Sequence, residues 1–176
     1  MGSKIDSKDY IDELLFNIRN HDSIKAKVLL RHLGDVEPGA RRRLVFELSR
    51  CDDEYSLPLL ASIVVENQSV SENMPVIRQV LLSKFMSNPN SLAQYLKTGF
   101  PYARAFFAGI AAETHCLEAA PSMMEVLDAG ESENEVEEAF INALGELCVS
   151  ESSNVIAERL ADPSSSLARA AAKALG

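Results

Sequence analysis

The sequence predicts an all-α protein assembled from stacked pairs of helices, and three observations carry that prediction. Apolar residues recur at helical spacing along nearly the whole chain, and no segment alternates convincingly like a half-buried strand. Proline and glycine fall where helices would begin and end. Pro58, Pro75, Pro101 and Pro121 lie near proposed starts, and Gly99 and Gly130 sit just past proposed ends. The third observation is internal repetition: 136–145 reads VEEAFINALG and 167–176 reads LARAAAKALG. Both open on a large apolar residue, place Ala at the seventh following position and finish Leu-Gly.

Each element can be justified in turn. The first helix is read over 8–20, with Ile11, Leu14, Leu15 and Ile18 on one face and a polar face suited to a cap. Asp22 or Ser23 is a ready N-cap for a second helix, with Gly34 as its left-handed stop. Pro38 opens a third, to about Arg50. Pairs then follow at 56–67 with 73–87, 90–98 with 101–116, 119–129 with 133–149, and 152–161 with 165–175. Helices this short are marginal alone in water, so each must bury its apolar stripe against neighbours. Ala143, Gly145, Ala171 and Ala174 let helices approach closely. Leu144 and Leu175 are expected in the core, each contributing about 1.5–3 kcal/mol when fully buried.

The strings "LARAAAKALG" and "VEEAFINALGEL", and more loosely "PVIRQVLLSKF" and "YARAFFAGIAAE", resemble the HEAT repeat family. The likeness is to its bacterial form, related to phycobilisome-lyase repeats. Each repeat of that family is two antiparallel helices, the second carrying a Val-Arg…Ala-Leu-Gly signature. Here Ile77-Arg78 fits that pairing, Arg104 and Arg169 fall one position late, and Glu138 replaces the Arg. The resemblance covers about 23–176 and is strongest from 101 onward. It implies an α-solenoid, a right-handed superhelix of about five HEAT-like helix pairs plus an N-terminal capping helix. Residues 8–176 would form one domain, with 1–7 a disordered tail or vector remnant. Ending in mid-signature at Leu175-Gly176, the chain reads as a domain excised from a longer protein, or one that docks, as a homo-oligomer, through this end.

Charge and motifs narrow the function. Residues 90–176 hold 5 basic and 13 acidic side chains, and 118–151 hold ten acids with no Lys or Arg. That field repels nucleic-acid phosphates and anionic lipid, so neither is expected as a partner. No apolar stretch reaches the ~20 residues of a membrane span, and no signal peptide opens the chain. A cytoplasmic setting is the simplest account, with Cys51, Cys116 and Cys148 as buried reduced thiols. His21, His32 and His115 form no metal-ligand pair, and phosphate-binding or nucleophile-elbow motifs are absent. No cofactor, metal or catalytic residue is assigned. Arg41-Arg42-Arg43 opposes the dipole of its own helix, so an acidic loop partner such as Asp35 or Glu37 is expected.

These readings point to a scaffold that binds a protein or peptide. Four of the eleven aromatic residues fall within 100–107, where Tyr102 and Phe106 share a helix face while Phe107 and Arg104 point elsewhere. The second helices of HEAT pairs line the concave surface in the family. The resemblance therefore implies partner contacts at Arg78, Tyr102, Arg104, Phe107, Glu138 and Arg169, with Arg42 more remote. It also suggests a bacterial signalling setting. A phycobilin-lyase-like enzyme or accessory factor is the alternative, and a DNA-binding HEAT-like protein is the third reading.

Overall fold

The computed structural model describes residues 7–68, 75–130, 133–162 and 164–176. Outside them lie nearly all of the expected 1–7 tail, the first two residues of the helix expected over 73–87, and Glu131 of the acidic run. The helices in chain order are α1 Ser7–Arg19, α2 Ser23–Leu30, α3 Pro38–Ser49, α4 Asp53–Glu66, α5 Pro75–Ser87, α6 Gln94–Lys97, α7 Pro101–Glu113, α8 Ala120–Ala129, α9 Asn134–Glu146, α10 Ser153–Glu158 and α11 Ser165–Leu175. No strand occurs among the described residues. The chain divides into two compact units, 1–84 and 85–176, with the boundary inside α5.

In the first unit α1 packs against α3, and α2 against α4, giving two layers of odd- and even-numbered helices. Ile11, Leu14, Leu15 and Ile18 of α1 are buried against this core with Leu30, Leu44, Leu48 and Leu59. Asp22 caps α2 as expected, its carboxylate accepting from the Lys25 N–H at 3.1 Å. Polar ties close the ends of the layers. The Asn67 side chain donates to the Leu30 carbonyl at 2.9 Å, and Lys84 Nζ donates to the Cys51 carbonyl at 3.0 Å.

The second unit repeats the plan with more members. The odd layer stacks α7 on α9 and α9 on α11; the even layer stacks α6 on α8 and α8 on α10. Each even helix also packs on the odd helix that follows it. Two of the odd helices, α9 and α11, meet closely at Gly145. A Cβ there would lie 2.7 Å from the Ala174 Cβ and 2.8 Å from its Cα, so only glycine fits without moving backbone. The Leu-Gly ending of the repeat is thus a packing requirement.

Three odd-numbered helices, α1, α7 and α9, end in one device. His21, His115 and Cys148 have φ of 55°, 51° and 54°, although none is glycine. Each is followed by an N–H that reaches back five residues: Asp22 to Asn17, Cys116 to Ala111, Val149 to Leu144. These are Schellman caps, which satisfy carbonyls left open at a helix end.

Several expectations need correction. Gly34 is not a left-handed stop; α2 ends at Leu30 and Gly34 lies in the short 3₁₀ turn Leu33–Asp35. Pro58 lies inside α4, because the helix begins earlier than its prolines suggest, at Asp53. The expected 90–98 helix is a 3₁₀ turn, Pro89–Ser91, followed by the single turn of α6. Leu175 is 41% exposed, one turn beyond Ala171, the last buried residue of α11. Only Cys116 of the three thiols is buried. Cys51 is half-buried, and Cys148 is exposed because a left-handed cap residue leaves the helix face. Arg41 donates to the Val36 and Gly34 carbonyls rather than to Asp35 or Glu37, and Arg43 pairs with Asp12 at 3.6 Å.

Two predictions follow from this packing. Replacing Gly145 with Val should lower stability by about 1–3 kcal/mol, read as a fall in thermal midpoint, because the Ala174 backbone must move. The buried Tyr10 hydroxyl donates to the Leu29 carbonyl. Burial, then the Asp35 and Glu13 carboxylates, pushes its phenol from 10.0 up to about 12. The folded state therefore holds this proton more tightly than the unfolded chain, and the stabilisation is complete below pH 10. It is lost as pH rises from 10 to about 12. Chemical denaturation across that range should show a fall in stability that Tyr10→Phe removes.

Candidate functional site

The odd helices of the second unit place side chains on two faces. Ala103, Phe107, Phe140, Leu144, Leu167 and Ala171 fill the inner face and are buried. At helical spacing from these, Tyr102, Phe106, Glu138 and Asn142 are half-buried, while Glu113, Glu135, Glu146, Arg169 and Lys173 are exposed. Three of the candidate contacts, Tyr102, Glu138 and Arg169, therefore lie on three successive stacked helices of one unit. Tyr102 stacks on Phe100, ring centroids 5.9 Å apart with planes 13° from parallel, and Phe100 is 58% exposed. Arg42, exposed in the first turn of α3, and Arg78, half-buried on α5, belong to the first unit.

Two candidates serve the fold. Phe107 is buried, stacked on Tyr95 at 4.9 Å and edge-on to Phe85 at 6.0 Å, so it cannot offer a contact surface. The one-turn α6 explains this placement, because Tyr95 alone leaves space behind it that large rings must fill. Arg104 Nε donates to the Leu96 carbonyl at 2.8 Å, and its guanidinium lies 5.6 Å from the Phe140 ring centroid. Burial pushes the Arg104 pKa down, with Glu133 opposing. Its charge is spent holding α6, α7 and α9 in register.

Sequence reasoning missed a largely buried ion pair. Arg159 Nε lies 3.1 Å from the Glu137 carboxylate, both side chains being largely buried, and Nη2 donates to the Leu127 carbonyl. One guanidinium thus links the ends of α8 and α10 to the start of α9. A signal was present: Arg159 is the only basic residue between Arg104 and Arg169. A second omission lies in the first unit, where Phe16 and Phe46 are 66% and 58% exposed on the packed helices α1 and α3. Each sits one turn past the Asp12–Arg43 pair, and the Arg50 guanidinium covers the Phe46 ring at 5.7 Å.

Among the described residues no group of three His, Cys, Asp or Glu is placed to hold a metal ion. No helix among them is long and apolar enough to cross a membrane. A protein-family model described as HEAT repeats matches residues 89–176. Searches of curated proteins and of solved structures gave no significant match.

Removing Arg159 strands a carboxylate that has little access to water. Arg159→Leu should destabilise the chain by about 2–4 kcal/mol in urea unfolding. The double variant with Glu137→Leu should recover much of that loss, which a purely steric role for Arg159 would not allow.

Proposed function

The chain belongs to the HEAT repeat family, and from that premise we propose that it is a protein-interaction scaffold whose odd-helix face engages a protein or peptide. The observation that carries the reading is the division of labour within α7, α9 and α11. Their inner positions are filled and buried, whereas Tyr102, Phe106, Glu138, Asn142 and Arg169 stand half or fully exposed along successive helices. Aromatic, amide and oppositely charged groups exposed on successive stacked helices suit recognition of another chain; Tyr and Arg in particular are favoured interface anchors. The acidic balance of 90–176 turns the preference toward a partner with a cationic surface and away from nucleic acid. An adaptor in a bacterial signalling pathway, in the cytoplasm, is the setting this reading carries forward.

Site-specific photo-crosslinking tests it. A benzophenone amino acid at Tyr102, Asn142 or Arg169, activated in the native cell, should yield a discrete adduct shared by all three positions. The same group at exposed Lys27 on α2 should not. Absence of adducts from all three, or equal adducts from Lys27, would remove the odd face as a binding surface.

A further inference from the structure

The second unit contains two equivalent seams where an odd helix ends and the next even helix begins. At the first, Cys116 follows the left-handed His115; it is buried, and its thiol donates to the Pro89 carbonyl at 3.6 Å, closing the gap. At the second, Val149 follows the left-handed Cys148 in the same way, but the seam is open. It forms a pocket of about 430 Å³ between Leu117, Pro121 and Met124 on one side and Cys148 and Val149 on the other, with Glu151 at the rim. That volume lies within the ~300–1,000 Å³ range of ligand pockets. Leu117 is 59% exposed at its mouth.

We propose that this open seam is a second docking site, which takes a large apolar side chain from a partner segment flanked by lysine or arginine. The chemistry of the occupant follows from the rim. Glu151 lines the pocket, Glu118 adjoins Leu117, and residues 118–151 contain ten acids and no base. The cations nearest in sequence are engaged elsewhere, Arg104 with the Leu96 carbonyl and the Phe140 ring, Lys97 with Glu125 and Arg159 with Glu137. An apolar anchor is drawn in by desolvation of the pocket walls, and flanking cations are drawn in by the carboxylates around its rim. A fatty-acid anion or a nucleic acid meets the same field as repulsion. The inference rests on the scaffold reading only in taking a protein segment as ligand, since the pocket lies apart from the odd-helix face.

Random peptides displayed on phage, selected against the purified chain, test the assignment. Enriched peptides, synthesised with a fluorophore, are measured by anisotropy on wild type, Leu117→Asp, Met124→Asp and Phe106→Ser. Circular dichroism first checks that each variant is folded. Leu117 is exposed, so its variant remains informative if Met124→Asp unfolds. The expected winners carry Leu, Ile, Met or Phe between basic residues and bind Phe106→Ser as they bind wild type. They should lose about tenfold or more on Leu117→Asp. Bound peptide should also slow alkylation of Cys148, read by mass spectrometry. Winners without a basic bias, winners indifferent to Leu117→Asp and to Cys148, or no winners at all would overturn the proposal. Winners sensitive only to Phe106→Ser would overturn it while leaving the odd-face scaffold standing.

Discussion

None of these helices can bury its apolar stripe by itself. The longest described has 14 residues and α6 has four, so stability must come from helix resting on helix within each layer. That requirement sets the close contact of Gly145 against Ala174 in the second unit, where a single methyl group would be too much. It also explains why alanines crowd the inner faces of α7, α9 and α11. Close approach of backbones requires small residues at the crossing, with Leu144, Phe140 and Leu167 filling the space beside it. The outer face is then released from packing duty.

Electrostatics follow from the same stacking. A unit with a strong excess of carboxylates repels itself, and its few cations are divided between the surface and the seams. Of its five cations, Arg104 and Arg159 are drawn into the seams between helices, where each bonds a carbonyl and lies against a ring or a carboxylate, while Lys97, Arg169 and Lys173 stay exposed. The acids are left outside. Glu137 is the exception, and its burial is tolerable because Arg159 reaches it from the end of α10, the next helix in the chain. The outward negative field is thus strengthened by the two positive charges withdrawn into the seams.

The pairing of helices was legible because its signals are local: apolar spacing, prolines at N-termini, and the Ala-Leu-Gly string. Leu144, Ala171 and Gly145 could be assigned from that pattern alone. What could not be read depends on neighbours distant in sequence. Phe107 was read as a partner contact from its place in an aromatic cluster; its burial depends on Tyr95 and Phe85, which close on its ring from elsewhere in the chain. Arg159 carried no motif; its role appears only when Glu137 and the Leu127 carbonyl converge on it. The left-handed positions were sought at glycines, and Gly99 and Gly130 do have positive φ. His21, His115 and Cys148 escaped because nothing in their chemistry announces a left-handed backbone.

Those three caps have a further consequence. Each closes through bonds spanning no more than six consecutive residues, so the odd helix's end is defined without help from any other repeat. Closing so small a ring costs little chain entropy, and contacts of such low order form early. A chain built this way can add helix pairs in succession, each arriving with its punctuation already in place. Lengthening or shortening such an array by one pair leaves the remaining turns undisturbed.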